Sequence, residues 1–154
     1  MSTDQSDSHE RIVVDEVTAT TDEVTASMRA LLPQLSSSSE PPGDGEVAEI
    51  VESPATILFA ARSGEGGPIV GLLTLAVFRI PTGMRGWIED VVVDGAARGR
   101  GVGSALVRAA LERARRAGCR TVDLTSRPSR EEANRLYVRL GFSLRETNVY
   151  RYEL

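Results

Sequence analysis

The 154-residue chain contains no lysine, one cysteine, one histidine and one tryptophan. All eighteen of its basic residues are therefore arginine. A chain without lysine cannot supply the G-x-x-x-x-G-K-[ST] phosphate loop, so P-loop chemistry is excluded. A single cysteine, Cys119, excludes an internal disulfide and suits a reducing compartment; a cytoplasmic setting is expected. A thiol nucleophile needs a nearby base, and the one histidine, His9, lies in a polar N-terminal stretch, so both residues read as structural or incidental. No apolar run approaches the roughly 18 residues of a membrane span. The opening MSTDQSDSHE is polar and acidic, unlike a secretory signal. Arginines are dispersed along helical segments with no aromatic platform or helix-turn-helix pattern. Neither a membrane nor a nucleic-acid partner is expected, and no metal is.

What is present suffices for one domain with a core, since 41% of residues are hydrophobic. Residues 1–10 read as a disordered acidic tail and 11–154 as a single domain. The net charge of -4 hides an asymmetry. Residues 1–54 hold 12 acids and 2 arginines, and residues 55–154 hold 10 acids and 16 arginines. An acidic half can face a cation and a basic half a polyanion.

Periodicity orders the elements. A β-branched run in Arg11–Val17 predicts a first strand. Val24, Met28, Leu31, Leu32 and Leu35 at helical spacing predict a helix capped by Thr21 or Asp22. After the loop Ser36–Gly45, Asp44 or Gly45 opens a short helix through Val51. Thr56–Ala61 and Ile69–Ile80 read as a hairpin, and Met84–Val93 as a further strand. Gly101–Ala117 is an amphipathic helix ended by Gly118. Thr121–Thr125 is a short strand. Ser129 and Glu132 form a predicted capping box for a helix ended by Gly141. Phe142–Leu144 and Val149–Tyr152 are strand-like. The predicted fold is mixed α/β, a mostly antiparallel twisted sheet flanked by helices, in the order βααβββαβαββ.

Chemistry concentrates where strand Ile88–Val93 runs through Asp94–Ala97 into Arg98-Gly99-Arg100-Gly101-Val102-Gly103-Ser104. Glycines at a helix start let backbone N–H groups approach an anion, which the helix dipole favours. The dinucleotide pattern G-x-G-x-x-G fails here, because Ser104 or Leu106 stands where its last glycine belongs. The pattern R-x-x-G-x-G is met by Arg98, Gly101 and Gly103. With it the sequence resembles the acetyl-CoA-binding motif of the GNAT superfamily of N-acetyltransferases. Asn134-Arg135-Leu136-Tyr137-Val138-Arg139-Leu140-Gly141-Phe142 is similar to that superfamily's second segment, N-x-x-Y-x-x-x-G-F. The two segments follow in the family's order and cover about a third of the chain.

The resemblance implies roles. Backbone amides of Arg98–Ser104 would hold the pyrophosphate of acetyl-CoA, and Val91, Val92 and Val93 would pair with its pantetheine arm. Asn134 would contact the same cosubstrate. Tyr137 would be the general acid, since a phenol can protonate a departing thiolate. Glu89-Asp90-Val91-Val92-Val93 resembles the corresponding strand of eukaryotic glucosamine-6-phosphate N-acetyltransferases, where a carboxylate lies by the acceptor. Alternation places Glu89 and Asp90 on opposite faces unless a bulge intervenes. Glu89 is the candidate base or amine-orienting group, with a salt bridge to an arginine as the alternative role.

The expected activity is acetyl transfer to a primary amine of a small molecule or peptide by direct attack in a ternary complex. A non-catalytic acetyl-CoA-binding sensor or scaffold is the alternative. The acceptor is not named by the sequence: an acidic N-terminal half suits a cationic amine, whereas a sugar phosphate would need cations such as Arg127 or Arg130. A homodimer is left open.

Overall fold

The computed structural model describes residues 11–154, so the expected tail at 1–10 lies outside the described residues. The described residues form two compact units that meet in sequence at Leu124 and Thr125.

The first unit contains β1 (Ile12–Glu16), α1 (Asp22–Leu35), α2 (Asp44–Glu52), β2 (Thr56–Ser63), β3 (Ile69–Ile80), β4 (Gly83–Val93), a 3-10 turn (Gly95–Ala97), α3 (Val102–Arg116) and β5 (Thr121–Asp123). The strands make one open sheet in sequence order. β1 to β4 are antiparallel neighbours, and β5 pairs parallel with β4. The mostly antiparallel α/β sheet expected from the pattern is therefore present.

Helices cover both faces, so the central strands are buried runs rather than alternating ones. α1 and α2 place Val24, Met28, Leu31 and Val47 on Leu58, Ala60, Leu72 and Val92. α3 packs on the opposite face through Leu106, Val107, Ala110 and Ala114. Its N-terminal turn comes very close to the sheet at Gly71, where a Cβ would lie 2.8 Å from Val102 Cγ1 and 3.0 Å from Leu106 Cδ1. Each fully buried leucine, such as Leu73, Leu75 and Leu106, stabilises by about 1.5–3 kcal/mol relative to exposure.

The caps explain the boundaries. Thr21 is the N-cap of α1, its hydroxyl accepting from the Val24 N–H at 3.3 Å. α2 starts after Gly43, whose N–H donates to Glu46 at 3.0 Å. α3 ends in a Schellman turn, with Cys119 N–H on Ala114 C=O and Gly118 N–H on Arg115 C=O, both at 3.0 Å.

The second unit holds α4 (Glu131–Arg139) and the segment after it. Two expectations are corrected here. The Ser129–Glu132 capping box does not form: Arg130 is the N-cap, without a side-chain cap bond, so the helix starts one residue later than that box requires. The expected strands Phe142–Leu144 and Val149–Tyr152 also do not form among the described residues, and the order ends at α4. Alternation marks strand capability, but a strand needs a neighbouring backbone. Leu144, Val149, Tyr150 and Tyr152 are left exposed. No helix among the described residues is long and apolar enough to cross a membrane.

Candidate active site

β4 is the element that positions the chemistry. Two irregularities set it apart from a plain strand. The first is its neighbour. β5 pairs with β4 only at Arg85, Gly86 and Trp87. Beyond Trp87, the β4 edge from Ile88 to Val93 has no β5 partner, so its outward N–H and C=O groups offer an added-strand site. Val91, Val92 and Val93 lie on that stretch, with Val92 and Val93 held from the other side by Leu72 and Gly71.

The second irregularity is a bulge. Leu72 pairs with Val92 and Thr74 with Glu89, so Leu73 alone faces both Asp90 and Val91. Asp90 carries the extra turn, with φ of +49°, the one described non-glycine residue at positive φ. Aspartate is among the few residues that tolerate this region.

The bulge corrects the expected opposition of the two carboxylates. Directly paired residues share a sheet face. Thr74 lines a cavity of about 200 Å³ between α1, α2 and the sheet, and Asp90 lines the same cavity. Glu89, opposite Thr74, therefore also projects from that face. Its carboxylate accepts from the Trp87 indole N–H at 2.9 Å, one alternation back along the strand. The sequence alone does not place Asp90 in the site, because a bulge depends on cross-strand pairing that local sequence does not encode.

β4 leads directly into the glycine-rich turn, bringing Val91–Val93 and Arg98–Ser104 together. The turn is held from below. Asp94 accepts from Ala96 N–H at 3.2 Å, and Gln34 of α1 accepts from Gly95 N–H at 2.9 Å. No sequence signal marked Gln34. Gly101 caps α3 in the left-handed region, with φ of +78° and no side-chain cap bond. A Cβ on Gly99 or Gly101 would meet nothing within 4 Å. The first helical bond runs from Ala105 N–H to Gly101 C=O. The N–H groups of Val102, Gly103 and Ser104 therefore precede the intrahelical ladder and point out of the helix end. With the dipole's positive end behind them, they make an open anion cradle. Arg98 is exposed beside it. The Arg100 guanidinium donates to Ser63 Oγ at 2.7 Å, which ties that side chain to β2. Open space at the glycines, N–H donors outside the helical ladder and, among the described residues, a strand edge without a β5 partner together fit the pyrophosphate and pantetheine parts of acetyl-CoA.

In the second unit, Asn134 and Tyr137 stand one turn apart on α4, on the same helix face. The Asn134 amide donates to Arg127 C=O at 3.0 Å, fixing the preceding loop. Tyr137 is half-buried, and burial raises its phenol above the ordinary value, with Arg130 pulling partly back. It therefore keeps its proton at physiological pH. The Cys119 thiol is also raised by burial, with Arg113 opposing, which disfavours the thiolate a nucleophile requires.

The chain is similar to known proteins in sequence and in fold. The model of the acetyltransferase (GNAT) family matches residues 24–142. Glucosamine 6-phosphate N-acetyltransferase 1 of Oryza sativa subsp. japonica is 47% identical over 60 residues, covering 39% of this chain and 34% of that protein. Aminoalkylphosphonate N-acetyltransferase of Salmonella typhimurium is 33% identical over 101 residues, 64% of each chain. The matches thus span between a third and two thirds of these relatives' lengths. Among solved structures, an acetyltransferase of Trypanosoma brucei superposes with a TM-score of 0.74 at 28% identity, covering 94% of this chain and 100% of that one.

Proposed function

The chain belongs to the acetyltransferase (GNAT) family, and from that premise we propose that it transfers an acetyl group from acetyl-CoA to a primary amine by direct attack in a ternary complex. The observation that carries this reading is β4 itself, without a β5 partner beyond Trp87, bulged at Asp90 and running straight into the open cradle at α3.

In the proposed reaction, acetyl-CoA supplies the activated thioester. The amides of Val102, Gly103 and Ser104, with Arg98 beside them, hold its pyrophosphate, and Val91–Val93 pair with the pantetheine arm. Asn134 contacts the same cosubstrate. Glu89 takes a proton from the acceptor ammonium, directly or through water, freeing the nitrogen lone pair. The nitrogen bonds to the acyl carbon while a backbone N–H on the free edge of β4 stabilises the developing oxyanion. The carbon–sulfur bond breaks as the Tyr137 hydroxyl gives its proton to the sulfur, and the second proton leaving the nitrogen returns to the phenolate, so the products are the amide and the free thiol of CoA.

The named relatives supply two candidate acceptors, glucosamine 6-phosphate and an aminoalkylphosphonate, and both carry an anion beside the amine. The deciding experiment is release of free thiol from acetyl-CoA against a library of primary amines. Saturable, amine-dependent release is expected. Tight acetyl-CoA binding with no release for any amine would replace transfer by a sensor or scaffold role.

A further inference from the structure

We propose that the acceptor is a primary amine on a compact apolar body of the arylalkylamine class, carrying no anionic group, and that its ammonium rests on Asp90. The inference builds on the acetyl-transfer reading and names its substrate class.

The cavity beside the bulge is the ground for it. Its walls are aliphatic: Met28, Leu32 and Leu35 of α1, Ile50 of α2, Leu58 of β2 and Leu72 of β3. The ionisable residues lining it are Asp90 and Glu40, both acidic. No arginine lines it. Of its hydroxyls, Ser36 donates to Ser39 at 3.2 Å. A phosphate or phosphonate placed here would lose its hydration and meet like charge instead of a cation. An ammonium meets a carboxylate, and an apolar body meets aliphatic carbon.

Size narrows the class. An apolar cavity of about 150 Å³ accepts a benzene molecule. The roughly 200 Å³ here therefore accommodates one ring with a short chain. The bulge supplies the orientation. It turns Asp90 into the left-handed region and onto the cavity, a strained conformation maintained where a ligand would be read.

The test uses the full chain with three acceptors: phenethylamine, glucosamine 6-phosphate and 2-aminoethylphosphonate. Acceptor binding is followed separately through Trp87, the only tryptophan, which is bonded to Glu89 on the cavity face. Phenethylamine is expected to quench Trp87 and to exceed both anionic amines in kcat/KM by at least about tenfold, the effect of one favourable contact. Asp90→Asn, which tolerates the same φ, is expected to raise its KM about tenfold with an unchanged melting temperature. Leu35→Arg, at the half-buried rim, is expected to move preference toward the anionic amines. Preference of the unmodified protein for either anionic amine, or for a tripeptide with a free N-terminus, overturns the assignment, as does phenethylamine binding indifferent to Asp90→Asn. Acetyl-CoA calorimetry separates the two levels: absent binding removes the transfer reading itself, whereas normal binding with the wrong acceptor removes only the substrate class.

Discussion

The Phe142 ring meets the Tyr137 ring edge-on, with centroids 5.8 Å apart and planes inclined by 64°. The backbone produces this contact. Gly141, with φ of +101°, follows the α4 C-cap, Phe142 N–H returns to Tyr137 C=O at 3.0 Å and Gly141 N–H to Val138 C=O at 3.1 Å. That Schellman turn brings the residue after the glycine against the residue three before the cap. The spacing Y-x-x-x-G-F is thus a device for holding a phenol. Tyr137→Phe keeps the ring pair and removes the proton donor. Turnover is expected to fall about 10- to 1000-fold with acetyl-CoA affinity nearly constant. Normal turnover would make the hydroxyl structural and give the proton to water.

The same residue has a stability signature. Burial raises the folded Tyr137 phenol above its ordinary value near 10. The folded state then keeps its proton to higher pH than the unfolded state. This contribution is complete below about pH 10 and is lost as pH rises through the folded value. Thermal melts from pH 9 to 12 should show a steeper alkaline decline for the parent chain than for Tyr137→Phe. Parallel declines would show that the phenol ionises freely in the folded protein.

The spacing that holds Tyr137 is legible in the sequence, and so are other local features. The helices at α1 and α3, the hairpin and the two motif segments are local patterns of apolar spacing and glycine punctuation, and they appear where expected. The α4 capping box failed because Arg130, not Ser129, has the N-cap position. The last two strands failed because alternation states a capability and not a partner. The bulge was hidden for a different reason. Asp90 is ordinary in sequence, and only the offset between Leu72–Val92 and Thr74–Glu89 reveals the extra residue.

The cradle can be tested without unfolding it. Gly103 lies in the first turn of α3, where its N–H is unbonded within the helix. Gly103→Glu adds a negative charge at the proposed pyrophosphate site, and acetyl-CoA affinity is expected to fall about 10- to 100-fold. Gly101→Ala is the contrasting change. It forces a side chain into positive φ and should cost about 1–2 kcal/mol of stability, although the space there is open. Calorimetry on Gly103→Glu showing full affinity would remove the cradle from the binding site.

Cys119 follows Gly118 in the turn after α3, half-buried and with its thiol raised. Cys119→Ser is expected to leave kcat within about threefold, because a protonated thiol takes no covalent part. Initial-rate plots should intersect, as a ternary complex requires. A trapped acetyl-cysteine, or parallel-line kinetics, would replace direct attack by a two-step transfer.

Glu89 and Asp90 share a face but differ in what holds them, and this separates their expected roles. Glu89 sits in regular strand geometry with its carboxylate bonded to Trp87. Asp90 sits in strained geometry. Asp90→Gly should raise stability by less than about 1 kcal/mol, because aspartate already tolerates positive φ and glycine loses more conformational freedom on folding. The same change should weaken acceptor binding, a trade of stability against function. Glu89→Gln should leave stability nearly unchanged and lower kcat at neutral pH. Part of that loss should return at higher pH, where more acceptor amine is already deprotonated. The pH–rate profiles of Glu89→Gln and Asp90→Asn therefore differ in kind: recovery with pH for the first, and a raised KM with a retained profile for the second. If Asp90→Asn shows the alkaline recovery and Glu89→Gln does not, the proton passes to the bulge carboxylate, and Glu89 serves to hold the Trp87 ring.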